Sequence, residues 1–191
     1  MIMDTVAAAG LPGLIESLDL SVLMFIQEHL RIPALTPVWL FITHLADHGL
    51  FWIILGIILL IPKKTRLIGF LSLCSLGLGF LATNLWLKNA VARIRPYETY
   101  SQLILLVEKE KDFSFPSGHT CVSFAGAGIY FRMMKKPWGL LLLILAVLIA
   151  FSRLYVAVHY PSDVLGGLLI GLAASFIVYH IYLKITSNKI S

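Results

Sequence analysis

Charge is what this chain has least of. Of its 191 residues, 13% are Asp, Glu, Lys or Arg, against roughly 25% in an ordinary soluble domain. With 59% of the residues hydrophobic, that shortage excludes a water-soluble globular protein. Cysteine is scarce as well. The 2 present, Cys74 and Cys121, sit inside apolar runs where a thiol packs as a small hydrophobe, and they carry no information on redox compartment. No internal repeat, linker or low-complexity tract interrupts the chain, so one domain is expected. The first residues (MIMDTVAAAG) lack the basic stretch and apolar core of a cleavable signal, and none is expected there.

The apolar residues are gathered into runs of membrane-spanning length, about 20 residues each. Residues 67–87 contain no charge, residues 138–158 are broken only by Ser152 and Arg153, and residues 164–183 hold a single histidine. The expected fold is an all-α polytopic transmembrane helical bundle of about five to six spans. Four spans are expected near 66–91, 117–134, 138–157 and 162–184, and a shorter one, 50–61, precedes Pro62-Lys63-Lys64. Residues 1–47 form an amphipathic or short helical segment, and residues 48–191 the membrane core. Within the former, apolar residues at helical spacing are interrupted by Glu16, Asp19 and Glu28, and Pro33 and Pro37 follow. That pattern fits either one kinked span or an interfacial helix followed by a short one. Trp39, Trp52, Trp86 and Trp138 lie near span ends, where interfacial anchors belong. The glycine pairs Gly77/Gly79, Gly126/Gly128 and Gly167/Gly171 point to close helix packing.

The net charge of +5 does not indicate a nucleic-acid partner, because the basic residues are scattered at span ends. Lys63, Lys64 and Arg66, then Arg132, Lys135 and Lys136, then Lys184 and Lys189, follow alternate spans and so share one side. The excess of Lys and Arg makes that side cytoplasmic. Lys88, Arg93, Arg95 and Arg153 fall on the opposite side. Topology gives no reason for cations there.

Three short segments at span ends carry those cations. In the first, Lys88 and Arg95 lie about two helical turns apart, and Pro96 disfavours continuing the helix. Alone, the pair reads equally well as snorkelling side chains or as an anion clamp. In the second, Pro116-Ser117-Gly118-His119 opens a span: Ser117 can cap the helix, Gly118 lets a ligand approach the backbone, and free N–H groups at the helix start attract phosphate. In the third, Arg153 interrupts an apolar run and needs an anionic partner. Pro161 suits a first helical turn, with His159 just before it and Asp163 within it. A carboxylate beside a histidine fixes its tautomer and stabilises the imidazolium. Cations, two histidines and one carboxylate suit the binding and cleavage of a phosphate ester.

Taken together, Lys88-x6-Arg95-Pro96, Pro116-Ser117-Gly118-His119 and Ser152-Arg153-x5-His159-x3-Asp163 resemble the three-part signature of the type-2 phosphatidic acid phosphatase superfamily. The resemblance covers residues 88–163, and the span pattern extends it to the C-terminus. It implies that His159 is the nucleophile that forms a phosphohistidine, with Asp163 orienting it and His119 as general acid. It implies that Lys88, Arg95, Arg153, Ser117 and the Gly118 backbone N–H hold the phosphoryl oxygens. No metal or other cofactor is expected, since Asp163 is the only acid within a motif and two-metal phosphatases need clustered carboxylates. His44, Asp47 and His48 place two histidines at i, i+4 with an acid between: interfacial polar residues are the first reading, and a metal site or a contribution to the substrate pocket are the alternatives. The loop 97–115, carrying Glu98, Glu108, Lys109, Glu110, Lys111 and Asp112, reads as a solvated loop, or more sharply as a lid over a headgroup.

The function these residues imply is metal-independent hydrolysis of the phosphate or diphosphate ester of a membrane lipid. Undecaprenyl diphosphate, phosphatidylglycerophosphate and phosphatidate are the candidate substrates. The expected location is a bacterial cytoplasmic (inner) membrane, with the site facing outward and the bilayer and a phosphorylated lipid as partners. A non-catalytic binder or transporter of phosphorylated lipid is the alternative. Vanadate-dependent haloperoxidases carry the same constellation, but they resemble soluble proteins.

Overall fold

The structure, a computed structural model, describes residues 10–188, and residues 1–9 and 189–191, Lys189 among them, lie outside that range. Every regular element among the described residues is helical. Helix α1 (Gly10–Phe25) runs into a wider π-helical turn, Ile26–Leu30. Helices α2 (Thr36–Leu45) and α3 (Leu50–Leu60) follow. Helix α4 runs through Arg66–Phe80, widens into a π-helical stretch over Leu81–Leu87 and closes on the turn Lys88–Val91. A short helix α5 (Pro96–Thr99) leads into the long loop, after which come α6 (Gly118–Met133), α7 (Lys136–Tyr155) and α8 (Pro161–Ser187).

Among the described residues, three helices are long and apolar enough to cross a membrane: Arg66–Thr99, Lys136–Tyr155 and Pro161–Ser187. A fourth crossing results if Pro33–Leu45 and Asp47–Leu60, bent by 49° at their junction, count as one broken span. That is fewer than the five to six spans expected. Helix α6 accounts for part of the difference, since its 16 residues fall short of the roughly 20 that cross the hydrocarbon. The bend between α2 and α3 falls at His48 and Gly49, both with positive φ (53° and 71°), a conformation that glycine adopts without steric cost.

Helix α6 is the axis of the bundle. Ten of its 16 residues are buried, and α8, α7 and α4 pack around it. Small residues make that possible. A Cβ placed on Gly167 would lie 2.5 Å from the Ser117 carbonyl oxygen, and one on Gly171 2.4 Å from that of Cys121, so α8 meets α6 backbone to backbone. Lipid tails are as apolar as a leucine core, so such close packing and interhelical hydrogen bonds, rather than hydrophobic burial, hold spans together. Tyr130 accepts from Ser72 at 2.7 Å, and Ser75 donates to the Ala125 carbonyl at 2.9 Å. The outer faces carry exposed Ile54, Ile57, Phe70, Leu141, Leu165 and Leu169.

Two expectations change here. Trp52 is no interfacial anchor: it is wholly buried and donates to Ser123 Oγ at 3.0 Å, whereas Trp86 and Trp138 are exposed. Nor does α1 present a conventional polar outer face. Leu14, Ile15, Leu18, Val22 and Phe25 point outward, while Asp19 is only 3% exposed. A carboxylate is turned into the protein beside the buried Leu23, while several apolar residues point out.

Candidate active site

The ends of α4, α6 and α7 and the start of α8 converge at one end of the bundle, away from the basic clusters that close the opposite ends of the same helices. Helix α4 stops because Ala92 adopts φ 49°, so Lys88 stays on its last turn while Arg93 and Arg95 leave the helical path. The wide turn Leu81–Leu87 just before Lys88 matches the common placement of π-helical turns beside functional residues.

All three signature cations are buried. Lys88 is 5% exposed, Arg95 1% and Arg153 2%, which demands partners. The loop supplies them. Lys88 forms an ion pair with Asp112, and Arg153 one with Glu110. Arg95 joins the two pairs, its Nη2 lying 2.6 Å from Glu110 Oε2 and 2.5 Å from Asp112 Oδ1. Its remaining donors reach the Asp112 carbonyl and the Val158 carbonyl, each at 2.9 Å. Burial works against ionisation of Glu110, but Arg153, then His159 and Arg95, outweigh it and hold its carboxyl below the usual range. Burial likewise opposes the charge of Asp112, and the Lys88 and Arg95 contacts bring its pKa down to about 2. The loop read from sequence as solvated, or as a lid over a headgroup, thus turns two of its acids inward onto the cations.

His159 lies behind them, 1% exposed. Its Nδ1 faces Asp163 Oδ2 at 3.5 Å and Ser114 Oγ at 3.5 Å, and its Nε2 has no hydrogen-bond partner. Burial foremost, and then the nearby Arg95 and Arg153, outweigh Asp163 and push its pKa down to about 4. Asp163 is itself held by the Tyr160 backbone N–H at 2.9 Å and by the Ser114 hydroxyl at 2.5 Å. Pro161 starts α8 so that Asp163 falls in its first turn, where a carboxylate is favoured by the helix dipole.

His119, in the first turn of α6, has Nε2 2.9 Å from Asp47 Oδ1, and the other oxygen of Asp47 lies 2.7 Å from His44 Nδ1. The bend between α2 and α3 brings that carboxylate to the histidine. No group of three or more His, Cys, Asp or Glu side chains that could hold a metal ion occurs among the described residues, so His44, Asp47 and His48 do not close into one. Ser117 caps α6 as expected, its Oγ accepting from Thr120 Oγ1 at 3.0 Å and more distantly from Thr120 N–H. Gly118 brings the backbone close to Lys88: a Cβ there would sit 3.9 Å from Nζ. A cavity of about 1100 Å³ is lined by Lys88, Gly118, His119, Arg153, Asp47 and the loop 106–112. Arg95, Ser117, His159 and Asp163 are not part of its lining.

A family model, the PAP2 superfamily, matches residues 68–187. The chain belongs to the PAP2 superfamily. Among its relatives, an undecaprenyl-diphosphatase of Sulfolobus acidocaldarius is 36% identical over 126 residues, covering 66% of this chain and 61% of that protein. The match therefore spans less than two thirds of that relative's own length. Of solved structures, a transmembrane PAP2-type phosphatidylglycerolphosphate phosphatase from Bacillus subtilis superposes with a TM-score of 0.74 at 31% identity, covering 95% of this chain and 92% of its own. LpxE of Aquifex aeolicus superposes with a TM-score of 0.73 at 28% identity, covering 85% and 95% respectively. The membrane helices of this PAP2 chain and its likeness to a transmembrane member make it a multi-pass membrane protein.

Four residues around the site were given no role from the sequence. Thr43 meets Arg153 Nη1 at 2.6 Å, Ser114 and Arg93 hold Asp163, and Asp19 holds Arg93. Arg93 and Asp19 left a trace, as an outer-side cation and as an acid within an apolar pattern; Thr43 and Ser114 left none.

Proposed function

We propose that this PAP2 protein is a metal-independent lipid phosphatase that works through a phosphohistidine on His159. The observation that carries this reading is the state of that imidazole: buried, with Nδ1 turned to Asp163 and Nε2 unengaged. A carboxylate on Nδ1–H leaves the Nε2 lone pair for attack, and the low basicity keeps the ring neutral at physiological pH.

The substrate phosphate takes the places that the Glu110 and Asp112 carboxylates hold on Lys88, Arg95 and Arg153, and those carboxylates move aside. Two carboxylates carry the same charge as a phosphate dianion, so the exchange leaves the net charge of the cluster unchanged. The Gly118 backbone N–H at the start of α6 adds a donor, with Ser117 holding that turn. His159 Nε2 then attacks phosphorus; the N–P bond forms and the bond to the lipid oxygen breaks. His119 hands a proton to that oxygen. In the second half-reaction water attacks phosphorus, the N–P bond breaks, and His119 takes up the proton. Cations aimed at the phosphoryl oxygens stabilise the charge of both transition states.

Relatives named undecaprenyl-diphosphatase and phosphatidylglycerolphosphate phosphatase support a membrane lipid as substrate. Undecaprenyl diphosphate, phosphatidylglycerophosphate and phosphatidate are the candidates, presented at the extracytoplasmic face of a bacterial cytoplasmic membrane. The basic clusters at the opposite ends of the helices support that orientation. Residues 48–191 carry the signature residues, and the described part of the N-terminal segment docks on them and brings Asp47 to His119.

The test is phosphate release by purified protein from a panel of lipid phosphates in EDTA, with His159→Ala alongside. Activity that survives the substitution sinks the nucleophile assignment. Activity lost to EDTA alone sinks the metal-free assignment, and equal rates on soluble sugar phosphates sink the lipid one.

A further inference from the structure

Arg93 stands between two buried carboxylates that come from distant parts of the chain. Its Nη1 donates to Asp163 Oδ1 and to Ser162 Oγ, both at 2.7 Å, and its Nη2 to Asp19 Oδ2 at 2.8 Å. The guanidinium lies over the Tyr160 ring, 3.8 Å from its centroid. Asp19 also accepts from the Ser162 backbone N–H at 2.9 Å. Helix α1 is thereby fastened to the first turn of α8, where Asp163 sits. Neither Asp19 nor Arg93 lines the cavity.

The charges explain why a second carboxylate is there. A lone guanidinium on Asp163 would neutralise it and remove the negative field from His159. Asp19 shares that guanidinium, so the group of three keeps one net negative charge beside the imidazole. An anchor for α1 would be served as well by neutral hydrogen-bond partners, whereas burying another full charge is costly. The other charged groups around His159 are Arg95, Arg153 and Glu110. The phenols of Tyr160 and Tyr100 stand beyond Arg93.

We propose that Asp19 and Arg93 are positioning residues that set the charge on Asp163 and, through it, the basicity of His159. This rests on the reading of His159 as the nucleophile. Opposite charge changes at the two positions should then move His159 in opposite directions, which a purely structural role would not do.

The experiment follows His159 protonation by NMR of ¹⁵N-histidine-labelled protein in detergent, its signal assigned by loss in His159→Gln. The pH profile of kcat/KM for lipid phosphate hydrolysis is recorded in parallel. Asp19→Asn removes a negative charge, and both the midpoint and the acid limb should fall by roughly one pH unit. Arg93→Gln removes a positive charge, and both should rise by a similar amount. Arg93→Lys keeps the charge and should stay near wild type. Variants that melt like wild type but show no displacement, or the same displacement at both positions, overturn the proposal. If Arg93→Gln does not fold, Asp19→Asn and Arg93→Lys decide: a fall in the first with no movement in the second supports it, and equal behaviour overturns it. Wild-type protein that releases no phosphate while the midpoints move as expected would sink the nucleophile reading and leave the charge relay standing.

Discussion

Asp47 places one carboxylate oxygen 2.9 Å from Nε2 of His119, across the bend that joins α2 to α3. The partner of the proposed acid therefore comes from outside the matched region 68–187. A general acid contributes about 10²- to 10⁴-fold to a rate, and a carboxylate that orients it accounts for part of that. Asp47→Asn should lower kcat by roughly tenfold or more with KM little changed, and His119→Gln should lower it further. Steady-state kinetics on one lipid phosphate check this. A change confined to KM would place Asp47 in substrate binding instead.

The pairing of Glu110 and Asp112 with Lys88, Arg95 and Arg153 makes a second expectation. Orthovanadate or inorganic phosphate must displace two carboxylates to reach the cations. Removing both charges in the Glu110→Gln, Asp112→Asn protein should tighten inhibition by these anions by about tenfold, since each 1.4 kcal/mol of lost competition is a factor of ten. Arg95→Ala should weaken inhibition, because it removes one of the three cations that receive the anion while Lys88 and Arg153 keep their acids. Inhibition constants that are unchanged in the double variant would mean that the loop carboxylates do not compete with phosphate.

Those same two acids mark the limit of what the sequence could disclose. Lys88, Arg95, Arg153, His119, His159 and Asp163 stand out because each is a costly group at the end of an apolar run, and because the spacing to Pro96, Gly118 and Pro161 is local. Glu110 and Asp112 sit in a polar loop, where acids are expected to be solvated, and only the fold decides that they turn inward. Asp19 and Asp47 are harder still. Their partners lie 74 and 72 residues away along the chain, and no local pattern records such a pairing. The same holds for α6: its glycines and small residues announce close packing, but its 16 residues and its burial do not follow from hydropathy. Trp52 is the converse case, a residue type that favours interfaces and is used here for a buried hydrogen bond to Ser123.

Backbone contact between α6 and α8 leaves no room at Gly171, where a Cβ would lie 2.4 Å from the Cys121 carbonyl oxygen. Gly171→Val should therefore destabilise the protein by about 1–3 kcal/mol, the usual cost of overpacking, and lower its melting temperature in detergent. At Gly77 a Cβ would meet nothing within 4 Å, so alanine should be accepted there with little change. Equal melting temperatures for Gly171→Val and Gly77→Ala would show that the α6–α8 contact is looser than the geometry states.

The low basicity of His159, about 4, limits catalysis at acid pH and adds to the acid sensitivity of folding, to which His119, lowered by burial to about 4 as well, also contributes. A buried histidine whose folded pKa is depressed binds fewer protons in the folded state than in the unfolded one between the ordinary histidine range and about 4. Stability therefore falls as pH drops through that window and levels off below it. Asp112, whose folded pKa is about 2, acts in the adjacent window: its stabilising contribution is complete above the ordinary carboxylate range and is lost as pH falls toward about 2. Activity should consequently persist well below pH 6 and fail near pH 4, because only the neutral imidazole can attack phosphorus. His159→Gln removes one of these titrations, so the melting temperature of that variant should decline less between pH 6 and pH 4 than that of wild type. Both are read from a pH series of kcat/KM and of thermal melts. An acid limb at the ordinary histidine value, with parallel melting curves for the two proteins, would show that His159 is not held in the apolar setting that its burial describes.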